Sequence, residues 1–486
     1  MRITILMIPI SAKSMPTAFR TRRLWLLALG LLSGCATFQP RPISPAGSLA
    51  SYDSRSLANP GLGKFLASNH IDLPARGRPW NLKALTLAAF YYQPALAAAR
   101  AQLLAAQAAR VTARERPNPS LSLTPGYDSG VPAVPSPWIV PVALDWPIET
   151  AGRRGDRMAE ARHLAAAARW DLVGTVWGVR SRLRSALLAL YTARQTESLL
   201  ARQVSALQRV FNLLEGQFRA GVVSSYDVTR ARIALDNATL AQQAQQGRIR
   251  EARIALAGAI GVPVSALRGV HLSFAGFKRF PRDLTRPAVR QQALLGRADV
   301  RAALAQYAAS QSALKLEVAR QWPNIALGPG YAWNSQLASD HEWQLGLSLT
   351  LPILNQNRGP IAEARARRRV AAAQFLGVQS AAVAQIDGAL AAYRSTLGQV
   401  RTAESLLGNL TRQLKSIRVQ VNAGELQPLD LANAKVAFFA GAQNRLAAWI
   451  AAQQALGALQ DAVQSPLTMR PSLLQSAQNT PHSTRP

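Results

Sequence analysis

Four short stretches of the chain alternate apolar and polar side chains with a period of two, and two very long stretches carry the spacing of a helix. Trp343, Leu345, Leu347, Leu349 and Leu351 share one face, while Gln344, Gly346, Ser348 and Thr350 share the other. Trp138, Val140, Val142, Leu144 and Trp146 stand in the same way against Ile139, Pro141, Ala143 and Asp145. Leu121, Leu123, Pro125 and Tyr127 oppose Ser120, Ser122, Thr124 and Gly126, and Ile325, Leu327, Pro329, Tyr331 and Trp333 oppose Asn324, Ala326, Gly328, Gly330 and Ala332. Strands are expected at about 119–128, 138–147, 323–333 and 343–351, with Pro147 and Pro352 as terminators. They pair as two hairpins, through the proline-rich loop 131–137 and a loop near 334–341. One face of each strand suits hydrocarbon and the other suits water. A strand of about nine residues, tilted, crosses a bilayer core as part of a closed barrel, and aromatics at strand ends suit its interfaces. A soluble sandwich alternates too, but an uninterrupted apolar face on every strand favours the membrane.

After each hairpin comes a run far longer than an ordinary globular helix. No proline lies between Pro147 and Pro263, or between Pro360 and Pro428. Leu200, Val204, Leu207, Phe211, Leu214 and Phe218 step by four and three, as do Leu407, Leu410, Leu414, Ile417 and Val421, which is the period of a coiled coil. At 1.5 Å per residue, roughly 60 to 65 helical residues span about 90 to 100 Å. Each run turns back at a matching point, Ala220-Gly221 through Asp227 and Ala423-Gly424 through Asp430. Gly221 and Gly424 suit left-handed helix ends, and Ser224 or Ser225 suits the cap of the returning helix. Asp227 and Asp430 fall in its first turn, where the helix dipole favours negative charge. They have two readings, capping groups or parts of a functional tip. Shorter helices are expected from Leu82 to Arg116, interrupted at Pro94, and around Val289 to Arg320.

The halves repeat. Pro147 matches Pro352, Pro125-Gly126-Tyr127 matches Pro329-Gly330-Tyr331, and Ala-Glu-Ala-Arg occurs at 159–162 and again at 362–365. The chain is a tandem duplication, with repeats at 81–265 and 287–464, a linker at 266–286 and a flexible tail at 465–486.

Residues 1–34 have the form of an export signal: Arg20, Arg22 and Arg23 precede an apolar run, Leu24 to Leu32, too short to span a membrane. Met15 serves as a start as well as Met1, since 15–34 already make a complete signal. Leu32-Ser33-Gly34-Cys35 resembles a bacterial lipoprotein box, which implies a covalent lipid on Cys35 and a mature chain that begins there. Cys35 is the single cysteine, so no disulfide is expected. Residues 35–80, with Pro40, Pro42, Pro45, Pro60 and Pro74, read as an extended segment leading from the anchor.

The net charge of +31 would suggest nucleic acid in another compartment, but an exported chain rarely meets it. Anionic lipid or lipopolysaccharide head groups, an acidic external medium, or merely a solvated basic surface account for it better. The five histidines, His70, His163, His271, His341 and His482, are scattered and form no metal-ligand set. No P-loop, nucleophile elbow or metalloprotease spacing is present, so no catalytic residue and no enzyme activity is expected. Apart from the lipid on Cys35, no cofactor is implied.

Four strands cannot close a barrel, because about eight is the smallest number that does, and open sheet edges cannot face lipid. The protein must oligomerise. A trimer gives twelve strands and twelve helical passes.

The duplicated hairpins, long helices, lipobox and AG-x5-D turns resemble the TolC family of outer-membrane efflux proteins over about residues 80–464. DWPIETAGRRGDR and LPILNQNRGPIAEAR are similar to its CzcC-like branch of cation and heavy-metal efflux components. The resemblance implies a mainly helical chain with a small membrane β portion, closed in a homotrimer as a twelve-stranded β-barrel and an α-helical barrel. It implies an outer-membrane channel reaching into the periplasm and working with a periplasmic adaptor and an inner-membrane pump of the resistance-nodulation-division type. Gly221, Asp227, Gly424 and Asp430 would then mark the adaptor-docking and gating tips. Drugs or other organic solutes are the alternative cargo. A soluble coiled-coil scaffold is the rival of another class, and it leaves the four strands unexplained.

Overall fold

The computed structural model describes residues 37–72, 78–127, 138–278, 280–281, 287–334 and 340–464. The export signal, Cys35, the loop 131–137 and the tail 465–486 lie outside the described residues. In chain order the elements are α1 (Pro45–Asp53), α2 (Pro60–Ser68), α3 (Leu82–Tyr92), α4 (Pro94–Arg114), β1 (Ser120–Leu123), β2 (Gly126–Tyr127), β3 (Trp138–Ile148), α5 (Arg153–Arg219), α6 (Ser225–Ile260), α7 (Pro287–Gly296), α8 (Ala298–Ala319), β4 (Ile325–Asn334), β5 (Asp340–Leu349), α9 (Arg358–Asn422) and α10 (Pro428–Val463). The two long helices run to 67 and 65 residues, about 100 Å each at 1.5 Å per residue. Alanine, leucine, arginine and glutamine dominate them, all good helix formers.

The chain divides into two compact units. One, made of described residues in 37–47, 106–164 and 306–371, carries the sheet. Its strands run antiparallel in the order β1/β2, β3, β4, β5. The two hairpins pair as their alternation requires, and β3 also pairs with β4, so the repeats share one continuous ladder from Ile139↔Asn334 to Ile148↔Ile325.

The other unit, made of described residues in 48–105, 165–305 and 372–464, is helical. Its largest core gathers Leu62 and Leu66 of α2, Leu85 and Phe90 of α3, Leu96 of α4, Leu183 and Leu187 of α5, and Leu256 and Ile260 of α6. The last turns of α10 are clamped by arginines. Arg180 is wholly buried, stacks 4.7 Å from the Trp177 ring centre and donates to Gln460. Arg184 donates to the Gln453 carbonyl, and Arg297 to the Ala462 carbonyl at 2.6 Å. Cations at a helix C-terminus meet the negative end of its dipole. Asp461 accepts from Trp177 and Ser181 beside them.

Several expectations are corrected. Residues 35–80 are not simply extended: α1 and α2 lie there, and Asn59 caps α2 by accepting from the Gly61 and Leu62 amides. The first strand is broken at Thr124 and Pro125 without a change of register, since Ser120↔Asp145 and Gly126↔Ile139 belong to one alignment. Pro125 and Pro141 lack N–H groups, so the ladder between these strands loses donors there. Pro147 does not end its strand, which continues to Ile148 paired with Ile325. β5 ends at Leu349, opposite the first residue of β4, so Leu351 has no partner strand and lies outside the sheet. The helix expected around 289–320 is two helices meeting at Arg297, whose guanidinium is drawn into the α10 end and bonds Asp299 at 2.6 Å. The linker 266–286 is partly built into the fold: Leu267 and Phe277 are core residues, and Leu272 bridges to Trp80.

Candidate functional site

Residues directly opposed across a sheet project to the same face, so the pairing register decides whether four alternating sequences make one surface. Here they do. Leu123 faces Val142, Val142 faces Tyr331, and Tyr331 faces Trp343. Leu121 faces Leu144, Trp146 faces Leu327, and Leu327 faces Leu347. Tyr127 lies opposite Trp138, Val140 opposite Trp333, Pro329 opposite Leu345 and Ile325 opposite Leu349. Nine of the ten strand residues singled out in the sequence therefore fall on one apolar face, and Leu351 alone does not. Nothing among the described residues covers it: Leu345 is 67% exposed and Trp343 58%. The aromatic pairs Tyr127–Trp138 and Tyr331–Trp343, with ring centres 5.2 and 5.0 Å apart, cluster toward the loop ends of the strands. There Tyr331 Oη and His341 Nδ1 are 2.5 Å apart.

The opposite face is small and polar. Ser122 lies across from Ala143, Ala143 from Gly330, and Gly330 from Gln344; Gly328 faces Gly346, and Ala332 faces Glu342. A Cβ on Gly346 would come within 3.3 Å of the Gly328 carbonyl, so this surface stays flat.

The sheet and its helices are joined by dense hydrogen bonding. Arg153 donates to the backbone carbonyls of Ala319, Arg320 and Trp322 and to Asn324, and Thr150 donates to the Pro323 carbonyl. A groove of about 410 Å³ beside it is lined by Glu160, Glu317 and Glu363 together with Arg320 and Arg367. Glu317 is ion-paired with Arg320 and Glu363 with Arg367, so the charges largely balance. Among the described residues, no group of three or more His, Cys, Asp or Glu is placed to hold a metal ion.

The two turns at the far ends of the long helices are built alike. Gly221 and Gly424 have φ of +72° and +79°. In each turn the glycine and the residue after it donate back into the last helical turn, Gly221 to Phe218 and Val222 to Gln217, Gly424 to Val421 and Glu425 to Gln420. This is a Schellman ending, satisfying carbonyls that a helix end leaves bare. The returning helices open with capping boxes, Ser224 with Asp227 and Gln427 with Asp430. Hydrogen bonds from the Ser224 hydroxyl and amide hold the Asp227 carboxyl below its ordinary value of 3.8. The turns are tied to each other by Gln217 Nε2, which donates to Gln427 Oε1 at 3.1 Å, and by packing of Val210 and Leu214 with Ala432 and Leu429. Asp227 and Asp430 thus do the capping their sequence position allows. The glutamine link was not legible, because it joins positions far apart in sequence.

The profile of the outer membrane efflux protein family matches residues 89–262 and 289–463, most of the chain and both repeats. The chain belongs to the outer membrane efflux protein family. The chain resembles VceC of Vibrio cholerae, an outer membrane protein, with a TM-score of 0.65 at 18% identity, covering 79% of this chain and 96% of that one. It is similar to the CmeC outer membrane channel of Campylobacter jejuni, with a TM-score of 0.65 at 15% identity over 99% and 98% of the two chains. These likenesses show the fold, that of TolC-like channels. In sequence the chain is 23% identical over 216 residues to the cobalt-zinc-cadmium resistance protein CzcC of Cupriavidus metallidurans. That match spans 44% of this chain and half the length of the relative.

Proposed function

We propose that this chain is one third of an outer-membrane efflux channel. Three four-stranded sheets close a twelve-stranded barrel, and the paired long helices of three copies form the tunnel below it, in the periplasm of a Gram-negative bacterium. The observation that carries the reading is the single uncovered apolar face shared by all four strands, backed by a small polar face suited to a water-filled bore. Open edges on both sides of the sheet call for further copies, since unpaired backbone groups cannot face lipid. In this reading Trp138, Val140, Val142, Leu144, Trp146, Trp343, Leu345, Leu347 and Leu349 face outer-membrane lipid, and Cys35 carries the covalent lipid anchor.

The turns at Gly221–Asp227 and Gly424–Asp430 dock a periplasmic adaptor and gate the tunnel, and the adaptor joins the channel to an inner-membrane pump of the resistance-nodulation-division type. The cargo is divalent or heavy-metal cations, supported by the likeness to CzcC. The channel itself needs no metal ligands to pass them.

The test is conductance. Purified protein added to a planar bilayer gives discrete, uniform current steps if the reading holds; a protein that stays in solution and passes no current ends it. Replacing both Asp227 and Asp430 with Ala is expected to change the currents or their dependence on adaptor while trimers persist. Unchanged currents and efflux would leave the two aspartates with capping alone. Metal sensitivity in a deletion strain, measured beside drug sensitivity, decides the cargo.

A further inference from the structure

The lipid-facing reading leaves the strong positive charge unexplained, and part of it lies beside the sheet. Neither Lys nor Arg occurs from Ser120 to Ile148 or from Ile325 to Leu349. In the segments that flank the strands on the helix side, arginine is frequent: Arg114 and Arg116, then Arg153, Arg154, Arg157 and Arg162, then Arg358, Arg365, Arg367, Arg368 and Arg369. Some of these are engaged. Arg157 pairs with Glu149 at 2.6 Å, Arg367 pairs with Glu363, and Arg153 is spent on backbone carbonyls. Arg162, Arg365 and Arg369 are exposed and have no ion-pair partner among the described residues. Arg162 and Arg365 close the two Ala-Glu-Ala-Arg copies, nine and seven residues into α5 and α9, so each repeat presents a guanidinium within the first turns of its long helix. Arg365 and Arg369 stand one helical turn apart, where like charges repel unless an anion lies between them.

A second, separate feature lies at the same rim. The connections on either side of the hairpin β4–β5 expose large apolar side chains: Trp322 is 64% exposed, Ile353 66% and Leu354 100%. These connections are held together, as Gln321 Nε2 donates to the Gln356 carbonyl and Asn357 Nδ2 to the Glu317 carbonyl. Apolar tips with guanidinium groups just beyond them, at the edge of an apolar band, match the layering of acyl chain, interface and phosphate.

We propose that this rim is a seat for anionic phospholipid: Arg162, Arg365 and Arg369 take lipid phosphates while Trp322, Ile353 and Leu354 enter the acyl boundary. The proposal rests on the lipid-facing reading of the sheet. Continuity with that sheet and charge complementarity choose the occupant, because arginine near a bilayer surface is drawn to anionic head groups.

The experiment uses the full chain in detergent, titrated with dioleoyl-phosphatidylglycerol or with dioleoyl-phosphatidylcholine, with bound lipid counted by native mass spectrometry. The wild type is expected to retain phosphatidylglycerol preferentially, and the preference to shrink at about 0.5 M NaCl, where charges are screened within a few ångströms. The double variant Arg365→Gln/Arg369→Gln is expected to lose roughly 25-fold in affinity for phosphatidylglycerol, on the scale of about fivefold per arginine. Arg365→Lys/Arg369→Lys should keep most of it, and phosphatidylcholine retention should not change in either. Equal retention of the two lipids by the wild type, an unchanged preference in the glutamine variant, or displacement by inorganic phosphate at matched concentration overturns the rim proposal and leaves the lipid-facing sheet standing. Retention of neither lipid removes the sheet reading and the rim with it.

Discussion

Ser224 and Asp227 satisfy each other's backbone at the start of a 36-residue helix, and the worth of that exchange is measurable. Ser224→Ala removes one half of the box and is expected to lower local stability by about 1 kcal/mol, read as faster amide exchange in the first turn. The hydrogen bonds that depress the Asp227 carboxyl fix the pH dependence. Its contribution is fully present above the ordinary value of 3.8 and is lost as pH falls through the lower folded-state value, because the unfolded chain then takes up the proton more readily. An acid titration of the same amides checks the sign, and protection that rises on acidification contradicts it. Among the buried arginines, Arg180 shows the reverse situation. Burial pushes its guanidinium down to about 10, and its Nε and Nη1 find no partner among the described residues. Asp461→Ala would take a carboxylate away from beside Arg180 and leave Trp177 and Ser181 without their acceptor, and is expected to cost about 1 to 3 kcal/mol, whereas Arg180→Met is expected to be neutral or stabilising. Thermal unfolding of the two variants separates them. The capping residues could be read from sequence because capping is local. The arginine clamp could not, because Arg180 and Gln460 meet only once the chain has folded back on itself.

At the scale of elements, period two was enough to find the strands, since each alternates whatever its partner. It did not give their ends. Ladder length depends on the shorter partner, so β5 stops at Leu349 although the alternation runs on to Leu351. Proline misled in the other direction: Pro147, read as a terminator, lies inside β3 as Pro141 does, and each stands opposite an alanine of β4. The join between β3 and β4 was illegible because nothing in two separate hairpins says which edge meets which. Leu347→Arg places a charge in the middle of the apolar face, beside Leu327. In a lipid-facing strand this costs about 2 to 4 kcal/mol per chain near the bilayer midplane and is expected to prevent assembly. Normal yield of trimer by native electrophoresis would remove the face from the membrane. Ser348→Arg, on the opposite face, is expected to assemble and to change ion selectivity.

For the whole molecule, duplication set the plan and the family profile follows it, one match in each repeat. The segment before the first repeat was harder to read. Its prolines suggested an extended path, yet Pro60 stands at the first position of a helix, where proline needs no hydrogen bond, and Leu62 and Leu66 behind it are fully buried. The ladder between β3 and β4 has a consequence for how such a chain can be taken apart. A polypeptide cut in the linker yields two fragments, each holding one hairpin and one long pair of helices, and each missing the neighbour along its inner edge. Co-expressed, the fragments should find one another through that edge and restore the assembly, whereas either one alone should aggregate, with its bare strand open to any other chain.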